Sequence, residues 1–364
     1  AIILVLISFG IIMVFSSSYI MADKWYGDSF YFFTRQLFSA FIALLVFFVT
    51  MKIDYHYWKK FAIPLLIVTL FFGTSINQAA RWLELPGLGV TIQTSDFAKL
   101  ALIIYVARVL SLRQNDMNDF KKTFLPLVIP IVVVCVLILP ANFSTAFMLA
   151  IICWIMLFIG RTSMKQLFGF SFIAIVIVGI FVFIALNTNT LNRVQTWKNR
   201  IENFAKSEGG ENYQSQQSKI AIATGGLIGK GPGNSTQRNF LPHPYSDFIY
   251  AIIVEEYGII GGFVVLFLYL ILLYRAGLIV KKAKRTFPAF LAVGLTLSIV
   301  MQAMVNMAVA VNLIPVTGQT LPLVSMGGTS LLFSGVSFGI LLSISRSQNK
   351  EELFDGEEEP KGDN

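Results

Sequence analysis

Residues 172–186 read FIAIVIVGIFVFIAL. No charge interrupts the run and its apolar side chains do not alternate with polar ones, so it is not a strand of a membrane barrel. With its flanks, at 167–186, it reaches the roughly 20 residues that a helix needs to cross a bilayer. FIALLVFFVTM at 41–51 and LVIPIVVVCVLIL at 127–139 repeat the pattern. Across 364 residues 55% are hydrophobic and 13% charged, against roughly 25% charged in a soluble domain. That balance excludes a water-soluble globular fold, and nothing in it points to a nucleic-acid partner.

The hydropathy pattern predicts an all-α, polytopic membrane protein with spans at about 1–20, 30–51, 61–75, 96–112, 124–140, 144–160, 167–186, 247–274, 287–311 and 329–346. The opening AIILVLISFGIIMVF lacks the basic flank of a signal peptide and precedes nine further runs, so it is read as a span. Alternate short loops hold Lys52, Lys59 and Lys60; Arg108, Arg113, Lys121 and Lys122; Arg161 and Lys165; then Arg275, Lys281, Lys282, Lys284 and Arg285. The opposite short loops hold only Lys24 and Arg35, then Arg81 with Lys99. Cations accumulate on the cytoplasmic side, so both termini are expected there, with one large extracytoplasmic loop at about 187–246. Residues 1–346 thus form a single membrane domain, and the acidic 347–364 is expected to be a disordered cytoplasmic tail. Cys135 and Cys153 sit in apolar spans and read as small buried hydrophobes.

Polar, glycine- and proline-containing sequence concentrates on the outer face in three places, which suggests a shared cavity. The first is QAARWLELPGLGVTIQTSDFAKL, 78–100. Ser95 can cap the fourth span and Asp96 can complement its dipole. Lys99 lies one turn deeper, where an ammonium needs a partner: either Asp96, or, together with Arg81, an anionic head group. The second, YQSQQSKIAIATGGLIGKGPGNSTQRNFLPHPYSDFIYAIIVEEYGIIGG, covers 213–262. Its GGLIGKG misses the phosphate-loop pattern at both ends, with Thr224 and Gly231 in place of the required Gly and Ser/Thr. What remains is a flexible glycine-rich loop with Lys230, Asn234 and Arg238, able to bring N–H groups and cations to a ligand.

Asp247 closes that loop at the mouth of the eighth span. It is a helix cap or a cavity carboxylate. Glu255 and Glu256 follow two turns deeper, where a proton relay and a buried structural hydrogen bond are both open to them. His243, between two prolines, reads as a solvated loop residue or, less simply, a base. The third segment, VNLIPVTGQTLPLVSMGGTSLL at 311–332, predicts a re-entrant or broken helix whose N–H groups face an anion, with Ser325 among the candidate contacts.

Four pieces of this chain resemble the SEDS family (shape, elongation, division and sporulation), in its FtsW-like rather than RodA-like branch: SFGIIMVFSSS at 8–18, ARWLELPGLGVTIQTSDFAKL at 80–100, KIAIATGG through IIGG at 219–262, and IPVTGQTLPLVSMGGTSLL at 314–332. The resemblance implies a peptidoglycan glycosyltransferase that polymerises lipid II, the polyprenyl-pyrophosphate disaccharide-pentapeptide, at the outer face of the bacterial cytoplasmic membrane. It places the family's essential aspartate on Asp247. Substrate contacts are then expected from Arg81, Asp96, Lys99, Lys230, Asn234, Arg238 and Ser325. It also implies a class B penicillin-binding transpeptidase as partner, other division proteins, and a septal location. A divalent cation, magnesium or manganese, could assist, although no ligand cluster in the sequence demands one. The chain departs from the family at Gln93-Thr94-Ser95-Asp96, where Q-P-S-E is usual, and at 141–145, where Ala141-Asn142-Phe143-Ser144-Thr145 replaces P-D-x-G-T. The second departure argues against catalysis by position 142. Two further readings compete with the enzyme: a lipid II flippase lined by Lys99, Glu255 and Glu256, and a non-catalytic division scaffold.

Overall fold

Runs of apolar residues broken by short charged turns form eleven helices in the computed structural model, which describes residues 2–75, 82–84, 91–117, 119–139, 142–188 and 213–357. They are α1 (Ile2–Tyr26), α2 (Tyr31–Lys52), α3 (Tyr55–Ser75), α4 (Thr94–Leu112), α5 (Leu125–Ile138), α6 (Phe143–Ile159), α7 (Met164–Thr188), α8 (Tyr213–Gly225), α9 (Ile249–Lys282), α10 (Thr286–Ala310) and α11 (Gly328–Glu357). All but α8 fall on the ten expected spans. Among the described residues, six stretches are long and apolar enough to cross a membrane: α1, α2, 120–138, α9, α10 and α11. α6 and the Met164–Ile180 part of α7 are shorter apolar stretches among the described residues. α4 carries three charges, Asp96, Lys99 and Arg108.

Loop contacts sort the helix ends into two groups, as the alternation of basic loops requires. At the basic end Arg108 donates to the Lys59 carbonyl at 2.9 Å, Ser343 to the Ile53 carbonyl at 2.6 Å, and Thr286 to Ser111 at 3.0 Å. At the other end Gln319 donates to Thr145 at 2.9 Å and Ser325 to the Ser246 carbonyl at 2.6 Å.

Helices in lipid gain little from hydrophobic association, so close backbone approach matters more. Gly335 and Gly339, four apart on α11, provide it against α2. A methyl at Gly335 would sit 2.6 Å from the Ala43 carbonyl, and one at Gly339 would collide with Thr50 and lie 2.8 Å from the Phe47 carbonyl.

α9 is broken rather than continuous. Gly258 has φ 70° and ψ −176°, a conformation that side chains rarely adopt, so carbonyls and N–H groups around it lose their helical partners. The glycine-rich segment supplies replacements: the N–H groups of Lys230 and Gly231 donate to the carbonyls of Glu255 at 3.0 Å and Glu256 at 2.9 Å, and Ile259 N–H donates to the Gly226 carbonyl at 2.9 Å. A methyl at Gly258 would collide with the Leu227 carbonyl, and one at Gly229 with the Glu256 carbonyl. This segment is therefore a splint on α9, not the flexible ligand loop that its glycines suggest. Lys230 completes the splint by pairing with Glu255 at 2.6 Å.

Three other expectations change. The 311–327 segment is not a re-entrant helix but irregular chain with turns, bent at Asn312 (φ 57°), Gly318 (φ 71°) and Leu323 (φ 68°). Ser95 does not cap α4. The short strand Thr91–Gln93, paired antiparallel with Trp82–Glu84, runs directly into the helix, so Gln93 takes the cap position and Ser95 falls within the first turn. α11 also continues through Glu357, past residue 347, because Gln348, Lys350, Glu351, Glu352 and Leu353 are strong helix formers. Residues 358–364 lie outside the described residues, as do 189–212 of the large loop.

Two outcomes are expected. Gly335→Val forces α2 and α11 apart and costs about 1–3 kcal/mol, read as a lower unfolding temperature of the detergent-solubilised protein. Lys230→Met strands the Glu255 charge and costs about 3–5 kcal/mol, the usual penalty for breaking one side of a buried pair; thermal unfolding of the same preparation measures it.

Candidate active site

Asp247 stands one residue before Phe248, which takes the cap position of α9. Its carboxylate is half-buried, with Ser246 donating to Oδ1 at 3.0 Å. Oδ2 faces Gly318, where an added methyl would come within 3.7 Å. Glycine at 318 suits the left-handed backbone there, φ 71°, which side chains rarely adopt.

The main chain around Asp247 is fixed from several helices. Its carbonyl accepts from Asn306 of α10 at 2.9 Å, and the same Nδ2 donates to the Gln319 carbonyl at 2.7 Å. The Ser325 hydroxyl donates to the Ser246 carbonyl and accepts from Leu321 N–H at 2.8 Å, while Met326 N–H donates to the Tyr245 carbonyl at 2.9 Å. Phe32 of α2 stacks on Tyr245 with centroids 4.6 Å apart. Ser325, expected to touch substrate, is buried and spends its hydroxyl on holding the Asp247 loop.

A second cluster lies one helix away. Lys99 donates to Gln302 Oε1 at 2.9 Å and to Asp96 Oδ1 at 3.3 Å, and all three residues are buried. Gln302 donates in turn to the Thr320 carbonyl at 3.0 Å. Asp96 Oδ2 is buried without a hydrogen-bond partner among the described residues. Asp96, Lys99, Gln302 and the hydroxyls of Ser298, Ser330, Ser334 and Ser337 line a cavity of about 20 Å³, room for about one water. Lys99 therefore forms the ion pair with Asp96 and also borders a small, partly polar-lined cavity.

The remaining candidates lie elsewhere. Lys230 meets Glu255 and Thr236, and Asn234 donates to the Lys230 carbonyl at 3.1 Å. Arg238 is buried, donating to the Ser16 carbonyl at 2.9 Å and to the Tyr19 hydroxyl at 2.8 Å, with its guanidinium 4.5 Å from the Tyr19 ring centroid. These three tie the splint to α1 and α9. Glu255 also accepts from Ser235 and Thr236, and Glu256 accepts from Ser16 at 2.5 Å, so both acids serve structure. His243 is exposed. Asn142 caps α6 by accepting from Thr145 N–H at 3.3 Å, a task either Asn or Asp performs, which explains the altered motif there. Arg81 lies outside the described residues.

Sequence reasoning passed over Gln302 and Asn306. The signal was present in MQAMVNM, two amides four residues apart in an otherwise apolar span, where polar side chains are costly unless paired. Among the described residues, no three His, Cys, Asp or Glu side chains gather closely enough to hold a metal ion.

Known proteins are similar to this chain over nearly its whole length. A curated relative from Trichlorobacter lovleyi, named probable peptidoglycan glycosyltransferase FtsW, is 37% identical over 93% of this chain and 90% of its own. Stage V sporulation protein E of Bacillus subtilis is 35% identical over 94% of both chains. Among solved structures, a chain from a peptidoglycan synthase complex superposes with a TM-score of 0.73 at 21% identity, covering 95% of this chain and 96% of that one. The rod shape determining protein RodA of Thermus thermophilus gives 0.66 at 21% identity, over 95% of both chains. The family model for the cell cycle proteins FtsW, RodA and SpoVE matches residues 1–350, and the chain belongs to that family.

Proposed function

We propose that this protein is a peptidoglycan glycosyltransferase that polymerises lipid II at the outer face of the bacterial cytoplasmic membrane, at the septum, with Asp247 as general base. The observation that carries the reading is the setting of Asp247: a half-buried carboxylate at the entry to α9, on a main chain held from α2, α10 and the 311–327 segment. The excess of cations at the opposite helix ends supports placing that site, and not the termini, outside.

In this mechanism the Asp247 carboxylate takes the proton of the acceptor sugar's 4-hydroxyl as that oxygen attacks the donor's anomeric carbon. The bond from that carbon to the pyrophosphate oxygen breaks, and its electron pair leaves with the polyprenyl pyrophosphate. One carboxylate suffices because pyrophosphate is a good leaving group, unlike the alcohol that a glycoside hydrolase must protonate. Lys99, with Asp96 orienting it, and Arg81 are the cations for the growing negative charge. Lys230, Asn234 and Arg238 act at one remove, by fixing α9. A magnesium or manganese ion would be held here by one carboxylate, waters and the substrate's own phosphates, the manner in which magnesium is commonly bound.

The flippase reading relied on Lys99, Glu255 and Glu256 to line a path. Lys99 is engaged by Asp96 and Gln302 and both glutamates by internal hydrogen bonds, so no specific observation favours it. A class B penicillin-binding transpeptidase fits the family as partner, and other division proteins would place the pair at the septum.

Asp247→Asn, shown by monodispersity and thermal unfolding to be folded, is expected to make no glycan from purified labelled lipid II, a loss of at least about 10²-fold. Polymerisation at the normal rate would refute the general base. The same assay with and without the transpeptidase, and with EDTA, decides whether partner and ion are required.

A further inference from the structure

Gln302 and Asn306 are four residues apart, so they lie on one face of α10, and both are buried. Each amide reaches the same strand of irregular chain. Asn306 Nδ2 bridges the carbonyls of Asp247 and Gln319, at 2.9 and 2.7 Å. Gln302 Nε2 takes the next carbonyl, Thr320, at 3.0 Å, while its Oε1 accepts from Lys99 Nζ at 2.9 Å. A continuous path of hydrogen bonds and one peptide link therefore runs from the Asp247 main chain to the Lys99 ammonium.

We infer that Gln302 and Asn306 are positioning residues for the transfer: an amide clamp that sets the proposed base and the proposed leaving-group cation in one frame. Three carbonyls of non-helical chain, at 247, 319 and 320, accept from these two amides, and an unsatisfied backbone group near membrane depth costs several kcal/mol. Glutamine is suited to position 302 because it orients an ammonium without neutralising it. An ammonium has three N–H donors, and Asp96 and Gln302 use two of them. Lys99 also lines the small cavity that Ser330 and Ser334 share. Small misplacements of catalytic groups are expensive, with about 1 Å costing up to 10²-fold in rate. The inference rests on the glycosyltransferase reading for its chemistry, and on the hydrogen bonds alone for the clamp.

A double-mutant cycle on lipid II polymerisation tests the first part, using Gln302→Met, Lys99→Arg and the pair, each checked for folding. Gln302→Met is expected to lower kcat at least about 10-fold with KM changed less than about threefold, and to lower it less than about threefold in the Lys99→Arg background, since residues acting as a unit are not additive. A residue that only supports the fold would lower both backgrounds by one factor, and that result overturns the coupling. Hydrogen exchange tests the clamp without activity: in folded Asn306→Leu, amides at 318–327 and 245–250 should exchange at least about 10-fold faster while α2 and α11 hold their rates. Unchanged exchange in those segments overturns the clamp, including where Lys99→Arg leaves no measurable rate. Wild-type protein that makes no glycan would sink the glycosyltransferase reading instead, and exchange would still decide the clamp.

Discussion

Non-helical backbone at membrane depth must find its hydrogen-bond partners inside the protein, and this constraint organises the structure more than any other. Among the described residues, helical order breaks at Gly258 within α9 and along 311–327. Each break is repaired by a different device. The first is splinted by main chain, with 226–231 supplying N–H and carbonyl groups to α9. The second is held by side chains, the hydroxyl of Ser325 and the amides of Asn306 and Gln302. Asp247 lies between the two repairs and owes its position to both.

The same constraint redistributes the charged residues. Glu255 and Glu256 sit at the break in α9, where burial would make lone carboxylates very costly. Lys230, Ser235 and Thr236 surround the first, and Ser16 with nearby Arg238 attends the second. Cations that look from the sequence like a ligand cradle are thereby spent on architecture. Among the described candidate residues, Lys99 lines a small cavity together with polar side chains of α10 and α11.

How much was legible from residues alone follows from range. Hydropathy and loop charge located ten helices because both signals are local. Asp247 could be singled out because it closes a loop at a span's edge, and the motif around it is distinctive. The role of the glycines at 229 and 258 was not legible, since only close approach between two segments nearly 30 residues apart separates a splint from a flexible loop. Ser325 looked like a ligand contact for the same reason: a hydroxyl beside glycines carries no mark of a partner 79 residues away. Gln302 and Asn306 were legible as anomalies in an apolar run, and only the fold tells what they hold.

The grip on Asp247 also bears on how the protein is made. Its carbonyl is held by a residue 59 positions later, and the carbonyl before it by one 79 positions later. Contacts of such separation form late, after the intervening chain has been synthesised and inserted. During biosynthesis the acid-bearing end of α9 therefore reaches the outer surface before its carbonyl contacts to α10 and the 311–327 segment can form, and it acquires its final geometry only when those parts arrive. Reactivity is in this way tied to completion of the membrane domain, so a chain stalled after α9 exposes the acid without the frame that would make it a catalyst.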